Sequence, residues 1–348
     1  MQDTSDTTWL VVGGAGYVGS HVVEAFLKHG LGVVVLDDLT TGIRDRVPQD
    51  VKLKVGDATN SNTVRTVLGE HRITGIVHLA AKKQARESSE DPHRYWTANI
   101  GASLGITRAL AGSEVRSFIM SSSCSVYGDS AAAKESSPLA PLSPYARTKL
   151  ASEWIIQDSA RQLGVSVLTF RYFNVIGNSD FPVAHDVASE ALVPNIWRAF
   201  HAHEPLTIHG TDFPTADGTA LRDFVDVRDV ARAHALGAVA LQSRQTMSDD
   251  VFNLGSGEPV SVATVVKTAG HISGHSPKMI GSNAHEADPV QVWAESTRAR
   301  NALGWVPQYT LEESLRSYQD SLNAKSMTTP RVDANSYTTA AMDASSSQ

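Results

Sequence analysis

The stretch WLVVGGAGYVGSHVVEAFLKHGLGVVVLDD, residues 9–38, decides the fold expected of this 348-residue chain. A β-branched run from Trp9 ends on Gly13-Gly14-Ala15-Gly16-Tyr17-Val18-Gly19. Val18, Val22, Phe26 and His29 then recur at helical spacing until Gly30, which is placed to stop the helix. A second run, GVVVLD from Gly32, completes a βαβ unit. Without side chains at Gly13, Gly16 and Gly19, backbone N–H groups and the helix N-terminus can reach a pyrophosphate. With 25 glycines in 348 positions, a GxGxxG triplet arises by chance roughly 0.13 times per chain, so its place after a strand carries the weight. Asp37 ends the second run roughly twenty residues beyond the glycines, where a carboxylate can accept both ribose hydroxyls of adenosine. Asp38 stands beside it and no arginine is adjacent, so a 2′-phosphate would be repelled and NAD is favoured over NADP.

Outward from this unit the pattern repeats. VKLKV from Val51, GIVHLA from Gly75, VRSFIMSS from Val115 and VSVLTF from Val165 alternate with amphipathic segments, as in a parallel sheet with crossover helices. Beyond Asn174 the order weakens, with helical pieces near 187–203, 226–242, 261–273 and 311–322. The expected architecture is α/β: a Rossmann-type doubly wound parallel sheet with a smaller C-terminal α/β substrate domain. Residues 1–8 read as a flexible N-terminus, 9–174 as the NAD-binding domain and 175–324 as a partly interleaved substrate domain. From Lys325 hydrophobic periodicity is lost, and 325–348 reads as a disordered tail.

A formal charge of −7 provides no broad basic field, so nucleic acid is not an expected partner. The single cysteine, Cys124, excludes an intrachain disulfide and a cysteine-built zinc cluster, and no metal is expected. No apolar run reaches the length of a membrane span, and the opening MQDTSDTT is polar, so no membrane is expected and the cytoplasm is the expected compartment.

Tyr145 and Lys149 lie four apart in PYARTKLASEWII, which Ser143-Pro144 starts well as a helix, so both project from one face. A phenol titrates near pH ~10, and a neighbouring ammonium or nicotinamide cation would lower it into the range of a useful base. SSSCSVYG, residues 121–128, ends the fifth run at the edge where open α/β sheets bind ligands, and its three leading hydroxyls could share a proton with a substrate. Cys124 reads as a packed small residue, since nothing nearby supplies it with a base.

Together the glycine loop, LDDLTTG (36–42), HLAA (78–81), SSSCSVYG, SPYARTK (143–149), RYFN (171–174) and FPTADGTALRDFVDV (213–227) resemble the UDP-glucose 4-epimerase family over about Trp9 to Leu322. The resemblance implies a hydride cycle on tightly held NAD, in which Tyr145 takes the sugar 4-OH proton and a 4-keto sugar forms, turns over and is reduced on the opposite face. It further implies that Ser123 hydrogen-bonds the 4-OH and that Lys149 holds the nicotinamide ribose. Gly13, Gly16, Tyr17, Val18, Gly19, Asp37, Asp38, Asp57, Ala58, Leu79, Ala80, Ala81, Lys83, Asn99 and Phe173 would line the cofactor. The nucleotide-sugar substrate would meet Lys83, Ser123, Tyr145, Asn174, Leu192, His209, Arg222, His285, Asp288 and Val292, with Asn174 and Arg222 on the diphosphate and Asp288 on the nucleoside ribose. A homodimer through the helices near 91–111 and 144–163 is also implied.

The chain departs from the family pattern at four places. His209 stands where an aromatic is usual, His285 where an arginine is usual, Ala191 where an asparagine precedes Leu192, and Val292 where some members narrow the sugar pocket with tyrosine. These changes leave room for a larger or non-UDP nucleotide sugar, such as a UDP-N-acetylhexosamine or a GDP-sugar. A 4,6-dehydratase or decarboxylase would be expected to carry an acid where Cys124-Ser125 stand, and a non-catalytic NAD sensor would be expected to lose Tyr145 or Lys149.

Overall fold

A computed structural model describes residues 7–179, 191–243, 250–275, 278–285 and 288–328. The expected tail beyond 328, residues 1–6 of the expected N-terminus and the first part of the helical piece near 187 lie outside the described residues. In chain order the elements are β1 (Thr8–Val12), α1 (Tyr17–Lys28), β2 (Gly32–Asp37), β3 (Lys52–Val55), α2 (Ser61–Glu70), β4 (Ile73–His78), α3 (Ala85–Glu90), α4 (Pro92–Tyr95), α5 (Gly101–Leu110), β5 (Ser117–Ser123), β6 (Ser130–Ala133), α6 (Pro144–Leu163) and β7 (Ser166–Tyr172). There follow β8 (Asn174–Ile176), α7 (Leu192–Ala202), β9 (Leu206–His209), β10 (Leu221–Asp226), α8 (Val227–Ser243), β11 (Asp250–Leu254), β12 (Pro259–Ser261), α9 (Val262–Ser273), β13 (Met279–Ser282), β14 (Gln291–Ala294), α10 (Thr297–Leu303) and α11 (Leu311–Thr328). β1 thus begins inside the stretch read as a flexible N-terminus, and α11 continues past Lys325.

Seven parallel strands form the main sheet in the order β11-β7-β5-β4-β1-β2-β3. All six strands expected from sequence are in it, and the seventh, β11, pairs with β7 from far along the chain. Strand side chains alternate between two cores, as a period of two requires. Trp9 and Val11 join Val22, Phe26 and the α8 alanines on one face. Leu10 and Val12 join Val64, Ile106 and Ile156 on the other. Strands buried on both faces read as continuous apolar runs, as β1 and β2 do, whereas the edge strand β3 alternates lysine with leucine and valine.

The order reverses between β1 and β4, so the loops that follow these two strands part to opposite faces and leave a crevice. A second sheet runs β12-β10-β14-β6, with β8 also paired to β10, and a small parallel pair joins β13 to β9. Its own core gathers Trp197, Phe200, Ile208, Phe224, Val265, Leu315 and Tyr318. Among the described residues, no helix is long and apolar enough to cross a membrane.

Candidate active site

The glycine loop turns from β1 into α1 against the residues that follow β4. Gly13 has φ +86°, and a Cβ there would stand 2.6 Å from the Ala80 backbone nitrogen. Leu79 and Ala80 are held in place because both their amides donate to the Val12 carbonyl, at 2.8 and 3.0 Å. A Cβ at Gly19 would run into the Gly13 carbonyl, so α1 packs on the loop only with glycine there. Gly16 begins α1 without a side-chain cap, so no side chain stands between the helix N-terminus and an anion. This bare cradle fits the pyrophosphate of a dinucleotide.

Asp37 is 7% exposed. One carboxylate oxygen accepts the Ala15 amide and the other the Leu39 amide, both at 2.9 Å. Each oxygen keeps a lone pair for a ribose hydroxyl. Burial pushes its carboxyl above the usual range, against the two amide bonds. Asp38 and Asp57 are exposed and bind their own turns: Asp38 accepts from Thr40, and Asp57 from Thr59. Ala58 is buried beside α5, and Ala81 and Lys83 lie exposed in the loop after β4. Asn99 is buried with its amide committed to the Lys82 backbone and to Thr148 Oγ1, at 2.8–3.1 Å, so it braces that loop against α6. The Tyr17 hydroxyl donates to the Gly177 carbonyl at 2.6 Å, tying the cofactor loop to the segment after β8, and Val18 is half-buried against the core at the start of α1.

α6 begins where the sequence placed it: Ser143 accepts the Ala146 amide at 3.1 Å and Pro144 is the first helical residue. Tyr145 and Lys149 face the end of β5. Ser123 hydrogen-bonds the Tyr145 hydroxyl, and Lys149 Nζ donates to the Ser121 carbonyl at 3.0 Å. The other two serine hydroxyls expected to serve a substrate are engaged elsewhere. Ser122 donates to Glu153, and Ser121 Oγ shares a 2.5 Å bond with Tyr172. Tyr172 in turn meets His234 Nε2 at 2.6 Å. His234 Nδ1 faces the Val230 carbonyl, so Nδ1 carries the proton and Nε2 accepts from Tyr172. Strand alternation sends Ser122 to the α6 face and Ser121 to the α8 face, while Ser123, the last residue of β5, meets Tyr145 at the strand end.

Burial pushes the Tyr145 phenol up to about 12, and the Ser123 hydrogen bond only partly opposes it. The neighbouring Cys124 thiol adds to that rise. Burial lowers Lys149 itself to about 8, with Glu153 pulling the other way. Burial also raises the Cys124 thiol to about 12, against the attraction of Arg222, as suits a packed thiol.

The substrate-side residues approach from the second sheet. Arg222 on β10 lies within electrostatic reach of Cys124, Asp129 and Asp288, and β10 pairs it with Val292 on β14. Val292 packs in one small cluster with Cys124, Tyr127 and Phe173, which links the turn after β5, the residue after β7 and β14. His209 ends β9 with Nδ1 2.7 Å from Ser282 Oγ at the end of the paired strand β13. The loop beyond β13 carries His285, whose amide meets Asp288 Oδ2 at 3.2 Å. Asn174 opens β8 and Leu192 opens α7. Sequence reading missed Asp223, which is fully buried and accepts the Ser256, Gly257 and Ala294 amides at 2.7–3.0 Å, fixing the strand that presents Arg222. Its only signal was its place beside that arginine.

Residues 9–255 match the NAD dependent epimerase/dehydratase family. The UDP-glucose 4-epimerase of Corynebacterium glutamicum is 36% identical over 304 residues, covering 86% of this chain and 91% of that protein. Among solved structures, the UDP-glucose 4-epimerase of Stenotrophomonas maltophila, with bound NAD and formylated UDP-arabinopyranose, superposes with a TM-score of 0.85 at 28% identity, covering 93% of this chain and 100% of that one. The UDP-Glc/GlcNAc 4-epimerase of Campylobacter jejuni does so with a TM-score of 0.78 at 29% identity, covering 91% and 99%.

Proposed function

We propose that this chain, which belongs to the NAD dependent epimerase/dehydratase family, is a nucleotide-sugar 4-epimerase that inverts C4 of a UDP-hexose of the glucose and galactose type. The observation that carries this reading is the meeting of Ser123, Tyr145 and Lys149 at one strand end, with Arg222 and Asp288 approaching from the second sheet. The glycine loop and Asp37 would hold NAD, and Lys149 its nicotinamide ribose. When bound, NAD supplies the acceptor and donor of the C4 hydride. Tyr145 takes the 4-OH proton and later returns it, and Ser123 orients that hydroxyl. At about 12, the Tyr145 phenol is protonated at neutral pH in the chain alone, so its service as a base depends on a cation brought beside it. Arg222 would pair with the diphosphate bidentately and Asp288 with the nucleoside ribose.

Purified protein incubated with UDP-galactose should produce UDP-glucose, read from C4 configuration by NMR, with no added nicotinamide cofactor. NAD should appear in the supernatant of the denatured protein. Recovery of NADP, or stoichiometric consumption of a reduced cofactor, would move the chain to a reductase.

A second reading, a larger or non-UDP nucleotide sugar, is favoured by Val292 in the cluster beside Phe173 and by the two histidines, His209 at the end of β9 and His285 in the loop beyond β13. A histidine is a smaller stacking platform than an indole or phenyl ring and, when neutral, a weaker diphosphate partner than arginine. Competition by UDP-N-acetylhexosamines and GDP-hexoses against UDP-galactose decides between them.

The same reading includes a homodimer. Trp154 on α6 is 56% exposed and Trp96, just after α4, is 39% exposed. Two large indoles in water on adjacent helices are what a second copy of this helical face would cover. Trp154→Arg should convert a dimer to a monomer by light scattering, and a parent protein that is already monomeric sinks the proposal.

A further inference from the structure

Three consecutive serines at the end of β5 engage three residues spaced one turn apart on α6: Ser123 meets Tyr145, the Ser121 carbonyl meets Lys149, and the Ser122 hydroxyl meets Glu153. The third member has no part in the mechanism above. Glu153 is 2% exposed, and Lys149 beside it is 8% exposed. Arg171 on β7 grips the Glu153 carboxylate with both arms, Nε at 3.0 Å and Nη2 at 2.6 Å. Arg171 Nη1 donates to the Tyr127 hydroxyl at 2.9 Å, and that hydroxyl donates to Asn253 Oδ1 at 2.7 Å. The carboxylate is therefore locked in one place in a dry interior, where a charge acts strongly on its neighbours.

We infer that Glu153 is a positioning residue that holds Lys149 in its ammonium form and thereby sets the alkaline limit of the reaction. Its effect on turnover rests on the epimerase reading, whereas its effect on Lys149 does not. A buried amine is driven toward its neutral form unless a carboxylate stands near. Tyr145 and Glu153 flank Lys149 on α6 itself. From β4, His78 is lowered to about 3 by burial and then by the Lys149 charge, so it is neutral. From β7, Tyr172 is held protonated by burial, and Arg171 is paired to Glu153. From the turn after β5, the Cys124 thiol is protonated. At the Tyr145 end, Tyr95 packs against the ring, and Glu87 is paired with Arg94. Glu153 is thus the carboxylate that acts on Lys149, and it opposes the burial that lowers the amine to about 8.

The test is the titration of Lys149, followed through its side-chain ¹³Cε resonance in lysine-labelled protein and assigned with Lys149→Arg. Glu153→Gln should move that titration down by at least about one pH unit, a tenfold change in proton affinity. The alkaline limb of the turnover profile should move with it, while Glu153→Asp restores both most of the way. Removing one partner leaves a buried unpaired guanidinium, which destabilises the fold. The paired change Glu153→Gln with Arg171→Gln avoids that charge and should shift Lys149 in the same direction by a smaller amount, since the opposing charge of the guanidinium leaves with the carboxylate. A Lys149 titration unchanged in either folded variant overturns the inference, as does a shifted titration with an unmoved alkaline limb. A shifted titration in a protein whose parent epimerises no nucleotide sugar upholds the coupling and sinks the epimerase reading instead.

Discussion

Tyr145→Phe should lower turnover by at least about a hundredfold while NAD content and melting temperature stay near those of the parent. The substitution removes one oxygen. The ring that packs edge-on against Tyr95, with centroids 6.5 Å apart and planes at 82°, is retained. Lost are the hydrogen bond to Ser123 and the phenol oxygen proposed to take the 4-OH proton. A positioned general base contributes roughly 10²–10⁴-fold, so the loss should fall in kcat and leave KM little changed. A fall in NAD content to match the fall in kcat would mean that Tyr145 serves binding rather than proton transfer. Near-parental turnover would remove Tyr145 from the mechanism altogether.

Gly13→Ala should strip the chain of cofactor, with NAD recovered from the purified protein falling at least tenfold. At φ +86° a Cβ is strained by about 1–3 kcal/mol whatever the space around it. Here there is no space, since the new carbon would lie 2.6 Å from the Ala80 nitrogen and 2.9 Å from its Cα. Neither is the end of a flexible side chain. The loop after β4 cannot simply retreat, because its two amides are bound to Val12. The glycine turn must therefore give way, and it carries the N-terminus of α1 with it. Gly30→Ala is the control: its φ is +71°, but nothing lies within 4 Å of the added carbon. It should cost some stability and no cofactor. Equal loss of NAD in both variants would show that general destabilisation, not the cradle, is responsible.

Six of the seven main-sheet strands were legible: β1, β2 and β4 as nearly continuous buried apolar runs, β5 and β7 by their apolar middles, and the edge strand β3 by its alternation of lysine with leucine and valine. β11 was missed because DVFNL mixes polar with apolar residues outside the alternating strand and helix pattern, and its partner β7 lies about eighty residues earlier in the chain. α10 went unread because its seven residues present too few turns for a period to show. The start of α6 was legible because Ser143 and Pro144 act within their own turn.

What the sequence alone determined is therefore everything whose cause is local: the βαβ opening, the bare glycine turn, the acidic end of β2, and the spacing that puts Tyr145 and Lys149 on one helical face. What only the tertiary structure decided depends on which way each side chain turns and what it then meets. It sent Ser121 to Tyr172 and Ser122 to Glu153, leaving Ser123 to Tyr145. It closed the Asn99 amide onto Lys82 and Thr148. It also withdrew Lys149 almost wholly and Tyr145 partly from solvent, so that burial is the largest influence on their protonation. Spacing fixes direction along a helix, but a dielectric environment belongs to the whole packed interior, and no stretch of chain carries it.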